Sequence, residues 1–176
     1  MDYFSFFNIP CKLSIDTSYL KQQFYANSKK YHPDFFTLDS EEKQSIALTK
    51  SSLNNEAYKT LLDYDRRLKY FLELHDQLAA EGENKIPQDF LMEMMDFNEQ
   101  LMELEFDFQQ SDYDKVKADF EIIRSQLKEE IVDLESKLAT DLKDYEWIIL
   151  KNFYLKNQYL KRFAENLEKV LLHQSN

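Results

Sequence analysis

Glycine is almost absent from this chain of 176 residues, in which Gly82 is the single example. Tight hairpins and phosphate-binding loops both need backbone conformations with positive φ, which glycine adopts without strain. A chain with one glycine is therefore expected to consist of long helices with simple connections, and we predict an all-α fold. The chain also lacks the glycine-rich loop with which Rossmann and P-loop enzymes hold phosphates, which argues against both of those enzyme classes.

Three prolines, Pro10, Pro33 and Pro87, divide the chain. Each disfavours helical backbone in the residue before it. Between the first two, Asp16 is a suitable N-cap for a helix that runs to about Tyr31. Pro33 then ends this helix.

A third helix is predicted to begin after Asp39 or Ser40, and a fourth to run from Arg66 to Leu78. The segment 79–87 follows, where helical periodicity is lost and Gly82 occurs, so it is the predicted domain boundary. The buried stripe of the third helix is predicted to consist of Ile46, Leu53, Ala57 and Leu61.

Three long runs with helical periodicity follow this boundary. Each has a single predicted apolar stripe, and the links between them are short, which is typical of an antiparallel three-helix bundle. The stripes are Phe90, Met94, Phe97, Leu101, Leu104 and Phe108; Tyr113, Val116, Phe120, Ile123, Leu127, Leu134 and Leu138; and Tyr145, Ile149, Phe153, Leu160, Phe163, Leu167 and Val170.

The formal net charge of −11 is concentrated in one part of the chain. Residues 81–140 contain six basic and seventeen acidic side chains, whereas the remainder is nearly balanced. Nucleic acid is not an expected partner of such a region, and a basic protein is a reasonable one. A solvated helical face is the alternative explanation of the charge alone.

Cys11 is the only cysteine, which excludes an internal disulfide and a metal site built from several cysteines. No metal or other cofactor is predicted. The N-terminal residues do not resemble a signal peptide and no segment reaches transmembrane length, so we expect a bacterial cytoplasmic protein with no membrane partner. A mitochondrial matrix protein without its transit peptide would look the same.

The most specific local motif is His32-Pro33-Asp34, which lies between the end of one predicted helix and the start of the next. Taken alone, this tripeptide is equally compatible with an ordinary turn, in which proline ends a helix and aspartate bonds nearby backbone. Its surroundings are more informative. A short aromatic segment, a lysine-containing helix, this loop and an antiparallel helix follow one another in the order of a J-domain.

The chain resembles the J-domain family and, more narrowly, the HscB co-chaperones of iron–sulfur cluster assembly. The resemblance extends from end to end in the same order and is weakest over residues 109–155. It depends on the segments MDYFSFFNIP (1–10), YHPDFF (31–36), NEAYKTL (55–61), RLKYFLELH (67–75) and FLMEMM (90–95).

The resemblance implies that the second helix and the loop His32-Pro33-Asp34 bind an ATP-bound chaperone of the DnaK/HscA type and accelerate its ATP hydrolysis. Lys21, Lys29 and Lys30 would supply the electrostatic complementarity. Gln23 stands where a basic residue is expected in the family, so this surface is expected to be less basic than usual. A solvated helix face is the alternative for the three lysines.

The helix after Pro87 has a second set of apolar and acidic residues beside its core stripe, and this set includes Met102 and Phe106. A bundle helix needs only one apolar stripe, so the second set indicates a surface for a partner. The resemblance implies that this partner is the iron–sulfur scaffold protein IscU. The alternative is that Leu91 and Met92 pack on the J-domain. The residues carried over as scaffold-binding are Leu91, Met92, Met95, Asp96, Glu99, Glu103 and, more loosely aligned, Tyr159.

The resemblance implies an L-shaped molecule with a J-domain at 1–76, a linker at 77–87 and a scaffold-binding three-helix bundle at 88–176. No catalytic residue is predicted, and the N-terminal zinc-binding cysteine motif of some relatives is absent. Three alternatives stay open: a J-domain protein with a different client, a structural helical protein with an accidental His-Pro-Asp, and an enzyme with an unrecognised all-α site.

Overall fold

The computed structural model describes residues 1–80 and 82–173. The all-α prediction is confirmed, since these residues form helices, turns and connections and no strand. In chain order the helices are α1 (Tyr3–Phe6), α2 (Thr17–Lys30), α3 (Glu41–Leu62), α4 (Tyr64–Leu74), α5 (Gln88–Phe106), α6 (Gln110–Glu129), α7 (Val132–Glu135) and α8 (Asp144–His173), with 3₁₀ turns at Pro33–Phe36 and Ala139–Asp141.

The chain divides into two compact units. Unit 1 contains Met1–Asp76 together with Glu135–Leu142, and unit 2 contains Gln77–Leu134 and Lys143–Asn176. Each unit has its own apolar core. The sequence analysis placed a J-domain at 1–76, a linker at 77–87 and a bundle at 88–176, and it did not anticipate that Glu135–Leu142 belongs to unit 1. These domain assignments stay a prediction.

Unit 1 is organised by aspartate caps and a small aromatic core. Asp2 accepts a hydrogen bond from the backbone N–H of Ser5 at the start of α1, and Asp16 accepts from the N–H groups of Ser18 and Tyr19 at the start of α2. These bonds satisfy N–H groups that have no partner within the helix. The core side chains are fully buried and include Phe4, Phe7, Leu13, Leu20, Leu68, Phe71 and Leu72.

Two sequence predictions for unit 1 are wrong in detail. Ile46 is 53% exposed, and Ala47 and Asn54 occupy the buried face of α3 instead, in line with Ala57 and Leu61. The fourth helix ends at Leu74 rather than Leu78, because Asp76 has a positive φ of 56° that ends the helical hydrogen bonding.

The segment Glu135–Leu142 belongs to unit 1 through hydrogen bonds to residues more than 70 positions away. The backbone N–H of Ser14 donates to the Glu135 carbonyl at 2.7 Å, and that of Ala139 donates to the Cys11 carbonyl at 2.9 Å. The Tyr64 hydroxyl donates to Glu135 Oε1 at 2.5 Å. Such non-local bonds cannot be inferred from local periodicity.

Arg67 is buried beneath this segment. Its Nε donates to the Leu13 carbonyl at 2.9 Å, its Nη1 donates to the Leu61 carbonyl, and its guanidinium lies 5.3 Å from the centre of the Tyr64 ring. A buried guanidinium is tolerated when its N–H groups have acceptors. Arg67 therefore joins the α1–α2 connection to the α3–α4 corner.

Replacing Tyr64 with Phe should lower the free energy of unfolding by about 1–2 kcal/mol, because the Glu135 carboxylate loses a charge-assisted hydrogen bond. Urea denaturation measures this difference, with Tyr19→Phe as a more exposed control.

Burial, followed by the Glu135 interaction, raises the pKa of Tyr64 above its ordinary value. The contribution of the neutral Tyr64 hydroxyl to the free energy of unfolding is complete below about pH 10 and decreases as the pH rises further. The free energy of unfolding of Tyr64→Phe should therefore decrease less in alkali than that of wild type. Equal stabilities would contradict the role of this bond.

Unit 2 has its core between α5, α6 and α8. Phe163 of α8 contacts Phe97 of α5 edge-on, with ring centres 5.9 Å apart, and Phe120 of α6 at 4.9 Å. The predicted stripe of α5 is buried from Phe90 to Leu104. No described helix is long and apolar enough to cross a membrane.

The second and third predicted stripes of the bundle are partly wrong. The helix α6 ends at Glu129, so the run of apolar residues up to Leu138 is not one helix, and Leu138 is 41% exposed. Tyr145 is 56% exposed, whereas Trp147 and Leu150 are buried. The break after α6 allows the following residues to join unit 1.

Candidate functional site

The His-Pro-Asp loop is an exposed 3₁₀ turn that directly follows α2. The helix ends where the backbone N–H of Tyr31 donates to the Asn27 carbonyl, and Pro33 then starts the turn. His32 caps this turn, because its Nδ1 accepts a hydrogen bond from the Asp34 backbone N–H at 3.3 Å. The same Nδ1 lies 3.6 Å from Asp34 Oδ2, and the two side chains are 52% and 81% exposed. Both polar groups are thus held at a helix end and remain available to a partner.

The predicted basic face of α2 is exposed at Lys21, Lys29 and Lys30. Because α-helical residues are about 100° apart, Lys21 and Lys29 share one face with Tyr25, which is 60% exposed. Gln23 is half-buried and lies on the opposite side of the helix. The absence of a basic residue at Gln23 therefore leaves the Lys21–Lys29 face unchanged.

Two contacts with α3 hold the C-terminal half of α2. The buried amide of Asn54 donates to the Phe24 carbonyl at 3.1 Å and to Ser28 Oγ at 2.9 Å. The Phe24 and Tyr58 rings stack with centres 4.1 Å apart. These contacts define where α2 ends and therefore where the loop projects. The sequence analysis did not identify Asn54, although its spacing from Ala47, Ala57 and Leu61 matches a helical face.

An open depression of about 330 Å³ lies beside the loop, lined by Ser28, Lys29, His32, Asp34 and Phe35. Phe35 is 66% exposed, and its ring centre is 5.8 Å from that of His32. The loop thus presents an apolar side chain next to its polar ones. Phe35 and Tyr25 were not predicted as site residues. The sequence signal that could have identified Phe35 is its position directly after the His-Pro-Asp motif, among polar residues.

The helix α5 presents a second apolar stripe on the side opposite the bundle core. We call Leu91, Met92, Met95, Glu99, Met102 and Phe106 the outer stripe, since they fall within an arc of about 100° on the helix. Its apolar side chains are 37%, 63%, 58%, 67% and 96% exposed, in chain order. Single exposed apolar residues are common, whereas a continuous stripe is a feature typical of interaction surfaces, and the predicted role of this one in scaffold binding stays a prediction.

Carboxylates follow one margin of the outer stripe. Asp89, Asp96 and Glu103, which we call the acidic margin, recur every seven residues along α5. The helix contains six acidic residues and no lysine or arginine. None of these six carboxylates forms an ion pair with another described residue. The surface therefore combines apolar contact area with negative charge that no ion pair among the described residues neutralises.

Tyr159 of α8 lies near the other margin of the outer stripe. Its hydroxyl accepts a hydrogen bond from Asn98 Nδ2 at 2.7 Å, and its ring meets that of Phe90 edge-on with centres 5.8 Å apart. Asn98 is within one helical turn of both Met95 and Met102. The half-buried Tyr159 therefore flanks the predicted scaffold-binding residues, which all lie in unit 2, whereas the His-Pro-Asp loop lies in unit 1.

A family model and two solved structures that are similar to this chain are all described by the name HscB. Residues 86–168 match the family described as the HSCB C-terminal oligomerisation domain. The solved structure of chaperone HscB from Vibrio cholerae has a TM-score of 0.67 and 26% identity, covering 98% of this chain and 99% of that one. The human co-chaperone HscB, with a TM-score of 0.71, 23% identity and coverage of 96% and 81%, has the same fold.

Curated relatives are named as co-chaperones. The co-chaperone HscB of Buchnera aphidicola is 41% identical over 106 residues, which is 60% of this chain and 61% of the relative. The HscB homolog of Haemophilus ducreyi is 32% identical over 169 residues, covering 95% of this chain and 94% of the relative. Because that similarity extends along nearly the whole of both chains, this chain belongs to the HscB family of co-chaperones.

Proposed function

We propose that this co-chaperone stimulates the ATPase of a DnaK/HscA-type chaperone and delivers an IscU-type iron–sulfur scaffold protein to it. The observation that supports this most directly is the presence of two chemically different exposed surfaces, one in each unit. The His-Pro-Asp loop with its lysine face lies in unit 1, and the outer stripe with its acidic margin lies in unit 2.

The chemistry of ATP hydrolysis belongs to the chaperone in this proposal. His32 and Asp34 bind a conformation of the chaperone that hydrolyses ATP faster, and an effector shifts an equilibrium only by its differential affinity for the two states. Pro33 limits the freedom of the loop, so less conformational entropy is lost on binding. Lys21, Lys29 and Lys30 increase the association rate with an acidic surface.

The scaffold is held by unit 2 in the same complex. Leu91, Met92 and Met95 supply apolar contacts, and the unbranched methionines adapt to an irregular surface. Asp96, Glu99 and Glu103 select a basic partner surface, and Tyr159 extends the contact area beside Asn98. One chain that binds both partners raises the effective concentration of the scaffold at the chaperone.

Single-turnover ATP hydrolysis by the chaperone tests this function. We expect the rate to rise with the concentration of co-chaperone, and the scaffold to increase the rate further. Stimulation without any effect of the scaffold would indicate a different client. Absence of stimulation would contradict the chaperone assignment, and ATP hydrolysis by the co-chaperone alone would indicate an enzyme.

A further inference from the structure

The outer stripe extends beyond the residues assigned to scaffold binding. Met102 and Phe106 follow Glu99 at intervals of three and four residues, so they continue the same face toward the C-terminal end of α5. They are 67% and 96% exposed, and Phe106 is the most exposed apolar residue of the stripe. Neither contributes to the bundle core.

We infer that the outer stripe is one continuous docking face, and that Met102 and Phe106 bind a basic amphipathic segment of the scaffold protein. This inference rests on the proposed function, in which the N-terminal half of the same stripe already holds that protein. The distance from Leu91 to Phe106 corresponds to about 22 Å of helix, or about four turns. A helical or extended segment of the partner can therefore contact both halves at once.

The charge of α5 determines which occupant fits. The helix has six carboxylates and no basic residue, so a second copy of this chain on the stripe would bring like charges together. A basic segment instead neutralises carboxylates that have no ion pair among the described residues. Charge complementarity therefore favours a basic partner over self-association.

A cavity of about 300 Å³ between α5 and α6 borders the acidic margin at this end. Leu104 and Val116 line it together with the carboxylates of Glu103, Asp107 and Asp112, and Lys115 is the one cation in the lining. An arginine or lysine of the partner can place its charge at these carboxylates, whereas Leu104 and Val116 are each only 2% exposed and offer little apolar contact. This cavity gives the basic segment an acidic attachment point near the C-terminal end of α5.

Calorimetric titration of the full-length chain with an IscU-type scaffold tests this inference. Met102→Ala with Phe106→Ala should weaken binding about tenfold, as expected for truncated interface anchors. The matched control is Ile122→Ala with Ile148→Ala, two exposed apolar residues of the same unit that lie outside the stripe. Asp107→Asn should reduce the salt dependence of binding.

Each outcome distinguishes the inference from the function on which it rests. If Met102→Ala with Phe106→Ala binds as tightly as wild type while changes at Met92, Met95 and Glu99 weaken binding, the docking face ends before Met102 and the inference is wrong. No binding by the wild-type chain would refute the proposed function as well. A wild-type dimer that this double substitution converts to a monomer would assign the stripe to a second copy, and equal weakening by the control pair would also overturn the inference.

Discussion

Replacing His32 with glutamine should nearly abolish stimulation of the chaperone ATPase while the chain stays folded. The side chain of His32 is exposed and accepts one hydrogen bond, from the Asp34 backbone N–H to Nδ1. Exposed loop substitutions of this kind usually change the free energy of unfolding by no more than about 0.5 kcal/mol. Glutamine keeps a hydrogen-bond acceptor but loses the imidazole ring that lies beside Phe35.

The controls for His32→Gln separate docking from folding and from client binding. Ser52→Ala, an exposed change on α3 in the same unit, should stimulate the chaperone like wild type. The thermal midpoint and the scaffold affinity of His32→Gln should also match wild type, because the outer stripe lies in unit 2. Full stimulation by His32→Gln would remove the motif from the mechanism.

The sequence correctly predicted where α2 begins and where the His-Pro-Asp turn follows it, because helix caps and prolines act on the backbone within one turn. Asp16 caps α2 directly through its own side chain, and Pro33 starts the turn after Tyr31. Capping and proline effects depend on residues within one turn, so they survive whatever the rest of the chain does. The exposed Tyr25 and Phe35 needed the structure, since sequence alone does not distinguish an exposed aromatic residue from a core residue.

Long apolar periods were predictive where a helix packs along its full length and failed where it does not. On α5 the core stripe is as predicted from Phe90 to Leu104, because its period is strict within the helix, whereas the predicted Phe108 lies beyond the helix end at Phe106 and is only half-buried. Near Leu138 the period continues in the sequence but the helix has ended, and hydrogen bonds to Ser14 and Cys11 determine the path of the chain. Those partners are more than 100 residues away, so no local window contains the information.

Replacing Met92, Met95 and Glu99 together with alanine should weaken scaffold binding at least about tenfold. The two methionines are 63% and 58% exposed, so they can serve as apolar anchors on the outer stripe. Truncating such anchors costs about 1–2 kcal/mol each, and about 1.4 kcal/mol corresponds to a factor of ten in affinity. Alanine is the best helix former, so α5 should stay folded.

This triple variant should keep the function proposed for unit 1 and lose part of the function proposed for unit 2. Stimulation of the chaperone without scaffold should remain near wild type, whereas the additional stimulation by scaffold should require a higher scaffold concentration. A matched variant with Ile122→Ala, Ile148→Ala and Glu129→Ala removes two exposed apolar side chains and one carboxylate outside α5 and should bind like wild type.

The salt dependence of scaffold binding measures the electrostatic contribution of the α5 carboxylates separately from the apolar contacts. Added salt should weaken wild-type binding, because the acidic residues beside and within the stripe attract a basic partner through solvent-exposed charges. Glu99→Ala and Glu103→Ala should each make the affinity less dependent on salt, while the apolar contacts of Met92 and Met95 stay intact. If the triple variant is folded and calorimetry gives wild-type affinity at every salt concentration, scaffold binding occurs elsewhere on the chain and the assignment of the outer stripe is wrong.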